Sequence, residues 1–285
     1  QAPVVVLKNG AGRVVAALTQ FTGHPVTSYH PENPVVFGEW PQVAGDLLAE
    51  HIKKQSRVPV GFLQGCAGDV SSKEMLSGSV QRSTEFGRML GATYIEALEK
   101  QQPSRRDGLD CEMKKVSVPL APLPTREALT AELEEMDDFI QRAESGDEDT
   151  LSCVGLNFTR ALSPAYRARL VDLPRAWTMR ALALHDEGRA DSVATRLEIE
   201  IAVIRIGDVG IVGMSCEPFQ GIGRQIRRNS PLPISIPCGY MNVSHGYITD
   251  APNTGDREYM SSFYRYSDFR PPLRKPAGDV LADEA

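Results

Sequence analysis

The 285-residue sequence is poor in several things that would define simple protein classes. Cysteine occurs only five times (Cys66, Cys111, Cys153, Cys216, Cys238), scattered and never as C-x-x-C. That spacing excludes a zinc ribbon and a dense disulfide scaffold, while a single bridge stays open. No apolar run reaches the ~18 residues that a membrane-spanning helix requires. Positive charge is not in excess: 31 Lys+Arg stand against 37 Asp+Glu, for a formal charge of -6. The basic footprint of a nucleic-acid binder is therefore missing. Nor is there an H-E-x-x-H, a G-x-S-x-G or a phosphate-binding Gly-Lys loop, so no short motif decides the chemistry. The sequence opens at Gln1 with no Met, basic segment or apolar leader. Because Val4-Val5-Val6-Leu7 follows at once as a strand, the expectation is that the N-terminus lies inside a longer polypeptide.

What is present is an ordinary globular composition, 41% hydrophobic and 24% charged, long enough to bury a core without covalent staples. Val4–Leu7 and Val14–Phe21 read as strands around the turn Asn9-Gly10-Ala11-Gly12. Pro41 opens a helix with Val43, Leu47, Leu48 and Ile52 on one face. Val58–Leu63 is a buried-type strand, Thr84–Lys100 a helix, and the chain returns to strand after Asp110. From Thr195 the pattern is plainest: Leu197, Ile199, Ile201 and Val203 alternate with Arg196, Glu198 and Glu200. Gly207-Asp208 then turns the chain into a return strand, Val209–Met214. A short helix from Pro218 and a strand near Ile234–Ile236 follow. Strands alternating with helices predict an α/β fold, a mixed sheet body with flanking helices.

The middle third departs from this alternation. Thr125 is placed to cap a helix carrying Leu129, Leu133, Met136 and Ile140. Residues 160–187 read as a second helix with a break near Pro174, and Glu144–Asp149 as a solvated loop. Residues 122–192 are thus expected to form a helical insertion in a catalytic domain spanning 1–270, with 271–285 a loose tail.

Three polar residues follow strands in equivalent positions: His24, Ser71 and Glu217. In open α/β sheets, ligands bind beyond the carboxyl ends of strands, so these side chains are candidates for one site. Each has a plainer reading. His24 before Pro25 fits a hydrogen-bonded turn, Gly68-Asp69-Val70-Ser71 fits a helix N-cap, and Glu217 fits a first-turn acid at a helix start. Tyr247 and Tyr259 fit amphipathic packing.

Taken in order, the stretches carry a resemblance. Thr19-Gln20-Phe21-Thr22-Gly23-His24-Pro25-Val26-Thr27 with Phe37-Gly38-Glu39-Trp40-Pro41, then Phe62–Ser71, then Gly213-Met214-Ser215-Cys216-Glu217-Pro218-Phe219, and finally Asn242–Thr249 with Tyr259, are similar to four segments of the neutral, non-lysosomal ceramidases and their shorter bacterial relatives. The resemblance implies zinc-dependent hydrolysis of a linear amide, with an N-acylated sphingoid base as substrate. It implies His24, Glu217 and Tyr247 as zinc ligands, Ser71 as an active-site serine, and Tyr259 as a contact to the scissile carbonyl. It also implies a further zinc histidine in a His-x-His pair ahead of the first segment, and this sequence contains no such pair; His30, His51 and His245 are the nearby histidines. Export or a periplasmic, membrane-facing location, lipid or other small amide substrates and access to a membrane surface are implied with the family. Zinc ligation by imidazole and carboxylate, with a position left for water, is sound catalytic chemistry. Two other readings stay open on the residues alone: a metal-independent serine hydrolase or esterase using Ser71, and a non-catalytic domain that binds a lipid or glycan.

Overall fold

The computed structural model describes residues 1–52, 58–255 and 260–285. In chain order these form β1 (Val4–Lys8), β2 (Val14–Phe21), α1 (Glu39–Ile52), β3 (Val60–Gln64), α2 (Val80–Glu99), β4 (Leu109–Pro119), α3 (Arg126–Glu144), β5 (Ser152–Cys153), β6 (Leu156–Asn157), α4 (Pro164–Asp186), β7 (Arg196–Ile206), β8 (Val209–Met214), β9 (Glu217–Pro218), α5 (Gln220–Asn229), β10 (Ile234–Cys238), β11 (Tyr247–Ile248) and α6 (Asp279–Glu284). The fold is α/β with mixed sheets, as the alternating pattern predicts. Strands β2 and β8 have the bounds read from the sequence, while α2 starts four residues early because Ser79 caps it, accepting from the Arg82 N–H. All five cysteines are free thiols.

Two sheets stack face to face. The first has order β1-β2-β3 and the second β10-β8-β7-β4. Period-two alternation sorts the side chains between layers. Val4, Val6, Ala17, Val60 and Phe62 pack on α1 and α2 together with Trp40, Leu48, Leu90 and Tyr94. Their neighbours Val5, Leu18 and Leu63 face the second sheet and meet Val209, Ile211, Ile236 and Cys238. On the outer face of that sheet, Val116, Val118, Ile199, Ile201, Val212 and Met214 pack on Ile222 and Ile226 of α5 and Leu281 and Ala282 of α6. The result is a helix–sheet–sheet–helix sandwich.

That last contact corrects the expectation of a loose tail. Leu281 is fully buried and Ala282 nearly so, because β4 and β7 would otherwise expose an apolar strip. Pairing of β4 with β7 runs through eleven residues, Leu109↔Ile206 to Pro119↔Arg196.

Residues 122–192 are largely helical, with α3 and α4 antiparallel over a core of Met136, Phe139, Val154, Leu156 and Val171. Thr125 caps α3 as expected, its hydroxyl accepting from the Ala128 N–H. Arg167 is completely buried and donates to the backbone of Glu148, Thr150 and Thr159, which ties the Glu144–Asp149 loop to α4. The break expected at Pro174 does not occur: α4 runs through it. Proline removes the N–H that would satisfy the carbonyl four residues back, and here the Tyr266 hydroxyl donates to that carbonyl, Leu170 O, at 2.8 Å.

The two sheets are joined where strands β3 and β10 end, by the bridge Gly65↔Cys238 and the Gly239 N–H donating to Gln64 O. Just beyond, the Gly68 N–H donates to Pro218 O at 3.0 Å. A Cβ on Gly68 would lie 2.8 Å from the carbonyl oxygen of Glu217.

Two outcomes are expected from these contacts. Tyr266→Phe keeps the ring but leaves Leu170 O without its donor, and should cost about 1–2 kcal/mol in denaturant unfolding. Gly68→Ala should destabilise by about 1–3 kcal/mol, the usual range for overpacking; unchanged thermal unfolding would show that the two loops can part freely.

Candidate active site

Strands β2 and β3 are parallel, as are β8 and β10, so the carboxyl ends within each pair lie together. The Gly65↔Cys238 bridge then brings the two pairs of ends to one edge of the sandwich. His24 follows β2, Ser71 follows β3, Glu217 follows β8 and Tyr240 follows β10. Tyr247 enters through a two-residue parallel pairing with β9, in register Tyr247↔Glu217. The tight turn into β11 passes through Gly246 at φ 72°.

His24 is held by one carbonyl. Its backbone N–H donates to Val70 O at 2.8 Å, and its Nδ1 lies 3.2 Å from the same oxygen. A carbonyl only accepts, so the ring proton belongs on Nδ1 and Nε2 is turned outward. Nε2 faces Glu217 Oε2 at 3.4 Å. Two states satisfy that facing pair: an imidazolium donating to the carboxylate, or a neutral ring whose lone pair shares a cation with it. The separation matches the second as well as the first, since ligands ~2.0–2.1 Å from a tetrahedral zinc stand about 3.3 Å apart.

The Tyr240 hydroxyl completes the group. It donates to Glu217 Oε2 at 2.7 Å and lies 3.1 Å from His24 Nε2. Burial, and then the bond to Glu217, raise its pKa, so it is a phenol and a donor. For Glu217 burial raises the pKa, but hydrogen bonds to His24 and Tyr240, attraction to His24 and a further bond to Tyr247 outweigh it, and the carboxyl sits below its ordinary value. The rings of His24 and Tyr247 are 6.1 Å apart, centroid to centroid, and Tyr247 stands edge-on to Phe263 at 5.1 Å.

The expected residues are thus placed as follows. His24, Glu217 and Tyr247 come together. Ser71 lines a cavity of about 570 Å³ that His24 also lines, and its hydroxyl makes no hydrogen bond to another described residue. Tyr259 lies outside the described residues. His30 is turned away, with Nε2 3.1 Å from Ala161 O, and His51 is exposed at the end of α1. His245 shares a different cavity with Glu217. Gly68–Ser71 starts no helix; instead Asp69 caps α5 from a distance, Oδ1 accepting from the Gln220 N–H at 2.6 Å. Glu39, inside the first resembling segment, is buried and accepts from Ser28 and from the Ser83 hydroxyl, which pins the loop beyond His24 to α2.

Tyr240 was not singled out from sequence, although its position just past Cys238 obeys the same strand-end rule that selects His24, Ser71 and Glu217. Among the described residues, no three His, Cys, Asp or Glu side chains form a metal-binding group. No helix among them is long and apolar enough to cross a membrane.

No protein-family model matches the sequence, and no curated protein matches it. Solved structures similar in fold include two ceramidases. One is a ceramidase complexed with C2, TM-score 0.59; the other is the neutral ceramidase from Pseudomonas aeruginosa, TM-score 0.54. Each is 17% identical, and the match covers 99% of this chain and 46% of the other. The chain therefore spans less than half the length of these ceramidases and shares the fold of that part.

Proposed function

We propose that the chain carries the site of a zinc-dependent hydrolase that cleaves a linear amide in a ceramide-like N-acyl lipid, with His24, Glu217 and Tyr247 as the protein ligands. The observation that carries this reading is the His24–Glu217 pair: Nδ1 tied to the Val70 carbonyl and Nε2 facing a carboxylate oxygen at 3.4 Å. A backbone carbonyl on the remote ring nitrogen is the usual support of a metal-bound imidazole. This sequence supplies three of the four protein ligands that the resemblance implies, and imidazole and carboxylate are ordinary donors to zinc. The fold likeness to two ceramidases adds to it.

When bound, zinc would polarise the amide carbonyl and lower the pKa of its water towards ~7. The chain's own groups do the rest. Val70 keeps the proton on Nδ1 and so keeps Nε2 available as a donor of electrons. Tyr240 positions the Glu217 carboxylate through its short hydrogen bond. The cavity that His24 and Ser71 line is walled by Phe21, Trp40, Phe86, Met89 and Leu90, which suits an acyl chain. Ser71, which also lines it, would hold the polar end of the substrate. Without a hydrogen-bonded base among the described residues, its hydroxyl lacks the activation a nucleophile needs.

The test uses the full chain: zinc content after equilibrium dialysis, and release of fatty acid from a short-chain N-acyl sphingosine with and without a chelator. His24→Ala and Glu217→Gln should each weaken zinc binding by more than about 100-fold, beyond what loss of a supporting partner costs. Ser71→Ala should keep the metal and lower hydrolysis. Chelator-resistant hydrolysis, with fluorophosphonate labelling of Ser71 in metal-free protein, would overturn this in favour of a serine hydrolase.

A further inference from the structure

Three arginines are deeply buried among the described residues: Arg167, Arg265 and Arg270. Two have the partner that a buried charge demands. Arg167 pairs with Glu148 at 3.1 Å, and Arg265 pairs with Glu132 at 2.7 Å and lies over the Tyr264 ring. Arg270 has none. It is 6% exposed, and among the described residues no carboxylate pairs with it. Its Nη2 donates to Tyr247 O at 3.1 Å, while Nε and Nη1 are buried with no hydrogen-bond partner. Burial lowers its pKa to about 10, so the ring of donors is still charged at neutral pH.

Arg270 also forms part of the wall of a cavity of about 560 Å³. Arg196, Glu217, Ser244, His245, Ser267 and Asp268 line the same space. A buried guanidinium without a counter-charge is unfavourable, and an anion in the adjoining cavity would offset its charge. Hydroxyls of Ser244 and Ser267 and the imidazole of His245 are further donors for it. Against the guanidinium groups of Arg270 and Arg196 stand the carboxylates of Glu217 and Asp268, so the wall favours a monoanion over a dianion.

We propose that this cavity is a binding site for the carboxylate of a small organic acid, with Arg270 as its charged anchor. The inference needs Arg270 and the cavity and no metal, so it stands or falls apart from the hydrolytic reading. If both hold, the position beside Glu217 places an acid group next to the reacting centre, either the acidic end of an amide substrate or the acid half that hydrolysis releases.

Calorimetric titration of the full chain with acetate, at constant ionic strength and with acetamide and phosphate as comparisons, tests it directly. One-to-one saturable binding of acetate, unaffected by a chelator and absent for acetamide, is expected. Arg270→Met should weaken it at least ~10-fold, and Arg270→Lys should recover part of the loss. As a readout that needs no variant, acetate should slow diethylpyrocarbonate modification of His245 and leave that of exposed His51 unchanged. Tighter binding of phosphate than acetate, binding that disappears with the chelator, equal binding by Arg270→Met, or unprotected His245 would each overturn the proposal.

Discussion

The carbonyl of Val70 holds His24 by both its backbone N–H and its Nδ1, and the site is arranged around that double hold. Because the carbonyl can only accept, it fixes the tautomer as well as the orientation of the ring. What remains free is a single nitrogen aimed at Glu217. Moving Val70 O would release the imidazole to rotate, and the pair with Glu217 would lose its geometry. The neighbouring carboxylate would then keep only its Tyr240 donor and whatever Tyr247 supplies.

Val70 can do this because the loop after β3 is itself pinned. Its Gly68 N–H reaches Pro218 O and its Asp69 carboxylate caps α5. One stretch of four residues therefore touches His24 on one sheet's side and Pro218 and α5 on the other's. Glycine is needed at 68 for the reason of space alone, since a side chain would strike the Glu217 carbonyl. Packing of the two sheets and assembly of the polar group are in this sense the same event.

The chemistry available follows from who is paired and who is not. Tyr240 is kept a phenol by burial and serves as a donor, whereas Glu217 is kept an anion by the hydrogen bonds it receives. Arg270 is the odd member, a cation inside the protein with two donor nitrogens unused. An apolar cavity on the His24 side and a polar one on the Glu217 side give the centre two different approaches.

Local pattern carried much of the fold. The alternation in Leu197–Val203 and the bounds of β2 and β8 depend on which side chains face the core, and that is written in period two. Thr125 as a cap depends on residues three positions away. Where the reading failed, the deciding partner was distant: Tyr266 lets α4 pass Pro174 by bonding Leu170, 96 residues earlier, and the C-terminal segment is ordered because β4 and β7 offer it an apolar face. The strand-end rule was enough to choose His24, Ser71 and Glu217 as candidates. That His24 meets Glu217 across 193 residues of chain, that Tyr240 stands between them, and that Arg270 is left without a counter-charge among the described residues were decided only by the packing of one sheet on the other. Hydrophobic periodicity is a property of neighbouring residues, but the pairing of buried polar groups is set by which loops that packing brings within hydrogen-bond reach.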